Sequence, residues 1–162
     1  MGAGSNYHKE VVKFLNDEYG KSQDDKLKSI FPDDWEQKFI KERGFRCDYV
    51  GNCSQCNAIV DVIVSEPWME SLGKVIAYSN EVLEIYPDKE VWLIFYNEGL
   101  WKMYNGKYTK FPDNEERFVE YARAFCIRLR DISKKVLIPD LSKRLKFFDY
   151  RVEDGKGKLI SL

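Results

Sequence analysis

Apolar positions along the chain follow two rhythms. From Tyr7 to Tyr19 they recur at helical spacing (Tyr7, Val11, Phe14, Leu15, Tyr19), and Gly20 supplies a stop. Three later runs are short, nearly continuous and rich in β-branched and aromatic residues: Phe45 to Val50, Ala58 to Val64 and Val91 to Tyr96. They read as strands, the first two close enough to pair as a hairpin. An amphipathic segment, Trp68 to Tyr86, separates the second from the third. Strand, helix and strand in that order form a crossover unit, which makes the two strands parallel neighbours.

The helical rhythm is strongest from Glu115 to about Val136, where Phe118, Tyr121, Ala122, Phe125, Leu129, Ile132 and Val136 form one stripe and Pro139 marks the end. Asp33 with Glu36 and Asp113 with Glu116 are capping boxes, the first opening a helix that ends at Gly44. Leu100 to Tyr104 and Lys107 to Phe111 flank Asn105-Gly106, a two-residue hairpin signal. Phe147 to Val152 and Leu159 to Leu162 make a last hairpin across Asp154-Gly155-Lys156-Gly157. The pattern predicts an α/β (α+β) fold: a central mixed β-sheet with an N-terminal helix, a crossover helix and a long helix of the C-terminal half packed on it.

At 162 residues the chain has the size of one domain, and residues 1–5 read as a leader ahead of it. The net charge of −1 hides an asymmetry. Residues 1–122 carry −7, whereas residues 123–162 carry 11 Lys/Arg against 5 Asp/Glu. A basic end attracts phosphate, or pairs with the acidic remainder of the chain. No apolar run approaches the ~20 residues that span a bilayer, and no signal peptide is visible. Four cysteines do not make a disulfide framework in a chain this size, so an intracellular (cytoplasmic), reducing compartment is expected.

Several chemistries are set aside. There is no Walker loop and no Gly-rich dinucleotide fingerprint. The one histidine, His8, would have to serve any Ser-His-Asp or Cys-His arrangement, and beside the leader it reads as solvent-exposed. Cys53-Ser54-Gln55-Cys56 is half of a zinc knuckle. Free thiols, a disulfide, or zinc shared between two copies in a homodimer are the alternatives, with zinc the least favoured.

The acidic residues say more. Asp48 and Asp61 interrupt two apolar strands, where a carboxylate is costly unless it is paired, hydrogen-bonded or bound to a cation. Placed one strand spacing apart, ~5 Å, they would share a divalent cation. Oxygen ligands of this kind suit Mg²⁺ or Mn²⁺, which activates water and offsets charge on a phosphate. Lys74 and Tyr78 follow at i and i+4 on the crossover helix, where an ammonium would face the reacting phosphate.

Arg46-Cys47-Asp48-Tyr49-Val50-Gly51, then Ala58 to Val64, then Leu72-Gly73-Lys74-Val75-Ile76-Ala77-Tyr78 resembles the PD-(D/E)XK nuclease superfamily, in its recB-like and archaeal resolvase-like branches. The resemblance covers roughly residues 7–97. It implies a nuclease-like domain over residues 6–162 that hydrolyses phosphodiester bonds of DNA with Mg²⁺ or Mn²⁺. Asp48 and Asp61 would stand as metal ligands, Glu10 as the carboxylate of the opening helix, and Lys74 and Tyr78 for the helical Gln-x-x-x-Tyr motif. Cys47 replaces the usual Pro, and Ile63 stands where the second motif has Lys. The alternative is a catalytically inactive nucleic-acid-binding or dimeric interaction protein on the same fold. Glu66 and Glu90, the latter just after a literal Pro87-Asp88, are secondary acidic candidates. The basic end, through Arg128, Arg130, Lys134, Lys135, Lys143, Arg144 and Lys146, would hold the DNA backbone.

Overall fold

The computed structural model describes residues 4–22, 47–64, 87–103 and 114–162. Within them the order is α1 (Gly4–Tyr19), β1 (Tyr49–Val50), β2 (Ala58–Ile63), β3 (Glu90–Phe95), α2 (Asn97–Met103), α3 (Glu115–Val136), α4 (Pro139–Arg144), β4 (Leu145–Glu153) and β5 (Lys156–Ser161). The strands form one mixed sheet in the order β1-β2-β3-β4-β5. The outer pairs are antiparallel and the two inner pairs parallel, so the fold is the α/β arrangement with a mixed sheet.

The central strands β2 and β3 are buried on both faces, which is why each reads as a nearly unbroken apolar run. On one face Ile59, Ile63, Leu93, Phe95 and Phe147 pack with Cys126 and Leu129 of α3 and Leu141 of α4. On the other, Val60, Val62, Trp92, Ile94, Tyr96 and Tyr150 pack against Val11 and Leu15 of α1. Aromatic rings on the α1 side meet edge to face. The centroids of Tyr96 and Tyr150 lie 4.7 Å apart at 87°.

Several expectations need correction. Leu100 to Met103 is helical rather than a strand, because Leu100 and Trp101 are both buried against Phe118, Val119 and Ala122. Two consecutive inward residues do not fit an alternating strand but share one wedge of a helix. The α3 stripe is rotated. Cys126 and Ser133 are buried, while Ile132 and Val136 are exposed. Ser133 tolerates burial because its hydroxyl donates to the Leu129 carbonyl at 2.7 Å. The α3 cap is Asn114, not Asp113: the Asn114 side chain accepts from Arg117 N–H at 3.0 Å. The long helix ends before Pro139 as expected, and Pro139 in turn opens a further short helix, α4, from its first turn. Helix α1 begins at Gly4, inside the expected leader. The last hairpin turns on two residues, Asp154 and Gly155, both at positive φ (51° and 73°), as a tight hairpin turn requires.

The helix expected from Asp33, the crossover helix Trp68 to Tyr86 and the hairpin at Asn105-Gly106 lie outside the described residues.

Candidate functional site

The β1–β2 hairpin sets the register of the two aspartates. Its turn is pinned from below by Lys89, whose ammonium donates to Gly51 O at 2.6 Å and to Asn57 Oδ1 at 2.8 Å. Gly51 is required there, since a Cβ would lie 2.3 Å from the carbonyl oxygen of Cys56. The ladder pairs Tyr49 with Val60 and Val50 with Ile59. Asp48, one residue ahead of β1, also turns its N–H onto Val60 O, at 3.0 Å, so Asp48 and Tyr49 both lie opposite Val60, as in a β-bulge, and Asp48 is not the ladder partner of Asp61. The Asp48 side chain still reaches β2, and the carboxyls of Asp48 and Asp61 are hydrogen-bonded.

Asp61 is almost completely buried, at 2% exposed. It lies on the α3 face, between Ile59 and Ile63. Asp48 is more open, and its Oδ2 accepts the Val62 N–H at 2.7 Å and meets His8 Nε2 at 3.0 Å. Burial pushes the Asp48 carboxyl up. The hydrogen bonds from His8, Asp61 and Val62 and the charge of His8 together outweigh burial and hold it below the ordinary value. A hydrogen bond between two carboxyl groups needs one proton between them. Replacing that proton by a cation would let both acids act as anions.

His8 is the residue that sequence reasoning missed. It is not a bystander at the start of α1 but the side chain that holds Asp48. Glu10, one turn-fraction further on, takes another route: it accepts from the Tyr96 hydroxyl at 3.0 Å. Burial, with the Glu10 charge and this hydrogen bond, pushes the Tyr96 phenol well up. Glu90 is not with the aspartates. It is paired with Ala58, three ladder positions before the Asp61–Leu93 pair, and binds Lys146 at 2.7 Å. Ile63, where the resemblance would place a lysine, is part of the apolar cluster on the α3 face. Lys74, Tyr78 and Glu66 lie outside the described residues.

Among the basic residues, Arg128, Lys134, Lys135 and Lys143 are exposed. Arg130 forks onto Asp131 and Lys146 onto Glu90. Arg144 closes on the backbone, donating to Lys89 O at 2.6 Å, which ties α4 to the start of β3. None of the four cysteines is in a disulfide. Cys53 and Cys56 face each other across the hairpin tip through paired backbone hydrogen bonds, and burial pushes the Cys56 thiol up to about 12. Among the described residues no group of three or more His, Cys, Asp and Glu side chains is placed to hold a metal ion. The described residues thus offer a metal two carboxyl groups. That suffices for Mg²⁺, which keeps several waters and takes one or two carboxylates besides phosphate oxygens. Among the described residues no helix is long and apolar enough to cross a membrane.

The chain matches no protein-family model, no curated protein and no solved structure.

Proposed function

We propose that this chain is a metal-dependent nuclease that hydrolyses phosphodiester bonds of DNA, built on the PD-(D/E)XK plan. One observation carries the reading: Asp48, just ahead of β1, and Asp61 of β2 hold their carboxyls in contact. Two acids so placed fit Mg²⁺ or Mn²⁺, which would supply an activated water and charge stabilisation for the phosphate. Asp61 brings a carboxyl held rigidly in the sheet, and Asp48 one that its neighbours keep ionised. His8 meets Asp48 at Oδ2, the oxygen that also accepts the Val62 N–H, and is a group able to hold or release a proton there. The exposed cations Arg128, Lys134, Lys135 and Lys143 supply salt-sensitive attraction for the DNA backbone. Two copies acting together would suit symmetric cutting of a duplex.

The test is incubation of the pure protein with linear and branched DNA, with Mg²⁺, Mn²⁺ or EDTA. Cutting that needs the metal and falls at least ~100-fold in Asp61→Asn is expected, as for loss of a group that acts on developing charge. Equal cutting by the wild type and Asp61→Asn removes Asp61 from the mechanism.

The apolar setting of Ile63 favours a second reading, a binder on the same fold without catalysis. Tight DNA binding with no cleavage in either metal selects it.

A further inference from the structure

A second charged group lies on the same face of the sheet. Asp149 of β4 is fully buried, and three side chains converge on it. Asn97 Nδ2 donates to Oδ1 at 3.1 Å, while Arg123 Nε and Arg151 Nε donate to Oδ2 at 2.5 Å and 3.1 Å. Both guanidiniums use the same atom, Nε, to hold the carboxylate. Each keeps its two Nη groups, and among the described residues no acceptor meets them. The arginine side chains remain 21% and 24% exposed, so the unused donors have a route to solvent. The cluster carries two positive charges against one negative.

We propose that Arg123 and Arg151, locked in place by Asp149, form a binding site for a phosphate group. A tethered guanidinium has lost its rotamer freedom before any ligand arrives and presents a planar fork that matches phosphate oxygens. Two forks fixed by one carboxylate make a preorganised clamp, unlike the exposed cations Arg128, Lys134 and Lys135 of α3. The position fits as well. Asp149 is level with Phe95, at the carboxyl end of β3, the end at which ligands of open α/β sheets bind. Asp61 is level with Leu93 and Phe147, so Asp149 is two strands across and two residues along. That is roughly 12 Å at ~4.8 Å per strand and ~3.3 Å per residue. A few nucleotides, at ~3.4 Å of rise per phosphate, cover the interval. The assignment to a backbone phosphate rests on the nuclease reading; the phosphate clamp itself does not. Cys126 beside Asp149 takes no part, since burial, with the Asp149 charge, pushes its thiol up to about 12.

The side-chain Nε and Nη resonances of the two arginines in the ¹⁵N-labelled wild-type protein test this directly. They are followed during titration with inorganic phosphate and, separately, with a short DNA oligonucleotide in EDTA. Saturable shifts of both arginines with both titrants are expected. Shifts with phosphate alone keep the clamp and assign it to a free phosphate ligand, and absence of shifts with either titrant overturns the proposal. Arg151→Gln, whose folding is checked by thermal unfolding, is expected to bind the oligonucleotide about tenfold more weakly, with a salt slope shallower by about 1. Arg151→Lys, which keeps the charge but loses the fork, is expected to recover only part of that affinity. If the oligonucleotide does shift the arginines, wild-type affinity and salt slope in a folded Arg151→Gln protein also overturn it. Arginine shifts in a protein that cuts no DNA leave the clamp standing and count against the nuclease reading alone.

Discussion

Asp149 lies within β4 and Asp48 one residue ahead of β1, and their surroundings differ in kind. Asp149 meets two guanidiniums and an amide, whereas Asp48 meets an imidazole, a peptide N–H and a second carboxyl. The first site already holds more positive than negative charge and has donors to spare. The second concentrates acid and is suited to receive a cation. The same residue type thus stands in opposite settings, among cations at one place and beside a second acid at the other, according to what the neighbouring elements bring.

Removing the scaffold should have the largest effect. Asp149→Ala leaves two arginines facing each other over a buried gap and is expected to cost about 3–5 kcal/mol in urea unfolding, the range for a buried pair deprived of one partner. A loss under about 1 kcal/mol would mean that the arginines are held by something other than this carboxylate. At the acid pair the expectation reverses, because the added ligand should stabilise. Mg²⁺ at a hundredfold excess over its Kd should raise wild-type stability by about 2.7 kcal/mol, and Asp61→Asn should lose most of that gain. A melting temperature indifferent to Mg²⁺ in the wild type would set the two sites on an equal footing.

The third contrast is with pH. Asp48 is held below its ordinary value of 3.8 in the fold, so its stabilising contribution is complete above the unfolded value. It is lost as pH falls through the lower folded value. Wild type should accordingly be ahead of Asp48→Asn at about pH 5, and the margin should close in stronger acid. A margin that widens below about pH 5 would show the opposite sign of shift. The smallest effect belongs to a pair outside both sites. Glu90→Gln breaks an ion pair with the half-exposed Lys146 and should cost about 0–1 kcal/mol, with little change in DNA cutting. A large loss of cutting would bring Glu90 back as a participant.

The long-period features were legible in the sequence. Helix α3 spans Glu115 to Val136 as its periodicity predicts, since twenty-two residues average out local exceptions. Two apolar runs joined by a short loop bring Asp48 and Asp61 near each other, but their register was not legible, because Asp48 lies just ahead of β1 with its N–H on Val60 O, a local departure from the ladder that no pattern announces. The inward rotation of α3 was not legible either, because Cys126 and Ser133 score as weak or polar and only the fold supplies the Leu129 carbonyl that satisfies Ser133. Helix α2 is seven residues, too short for a period to declare itself. His8 on Asp48 and Arg123 on Asp149 are meetings of residues 40 and 26 positions apart, made by packing that no local pattern encodes. Arg151 showed only as one more cation of a basic end, although its work is done next to the strand acid two residues before it.

Among the described residues, the two borders of the sheet also bear on how a second copy could join. β1 is two residues long, and the Val50 N–H on it is already taken by Ser22 Oγ at 2.9 Å. β5, at the opposite border, places Lys156 and Lys158 along its rim. Short, occupied or lysine-bearing margins discourage backbone pairing between molecules. Any assembly of this protein is therefore expected to form through side chains of its helices or loops, leaving the sheet at the width that one chain gives it.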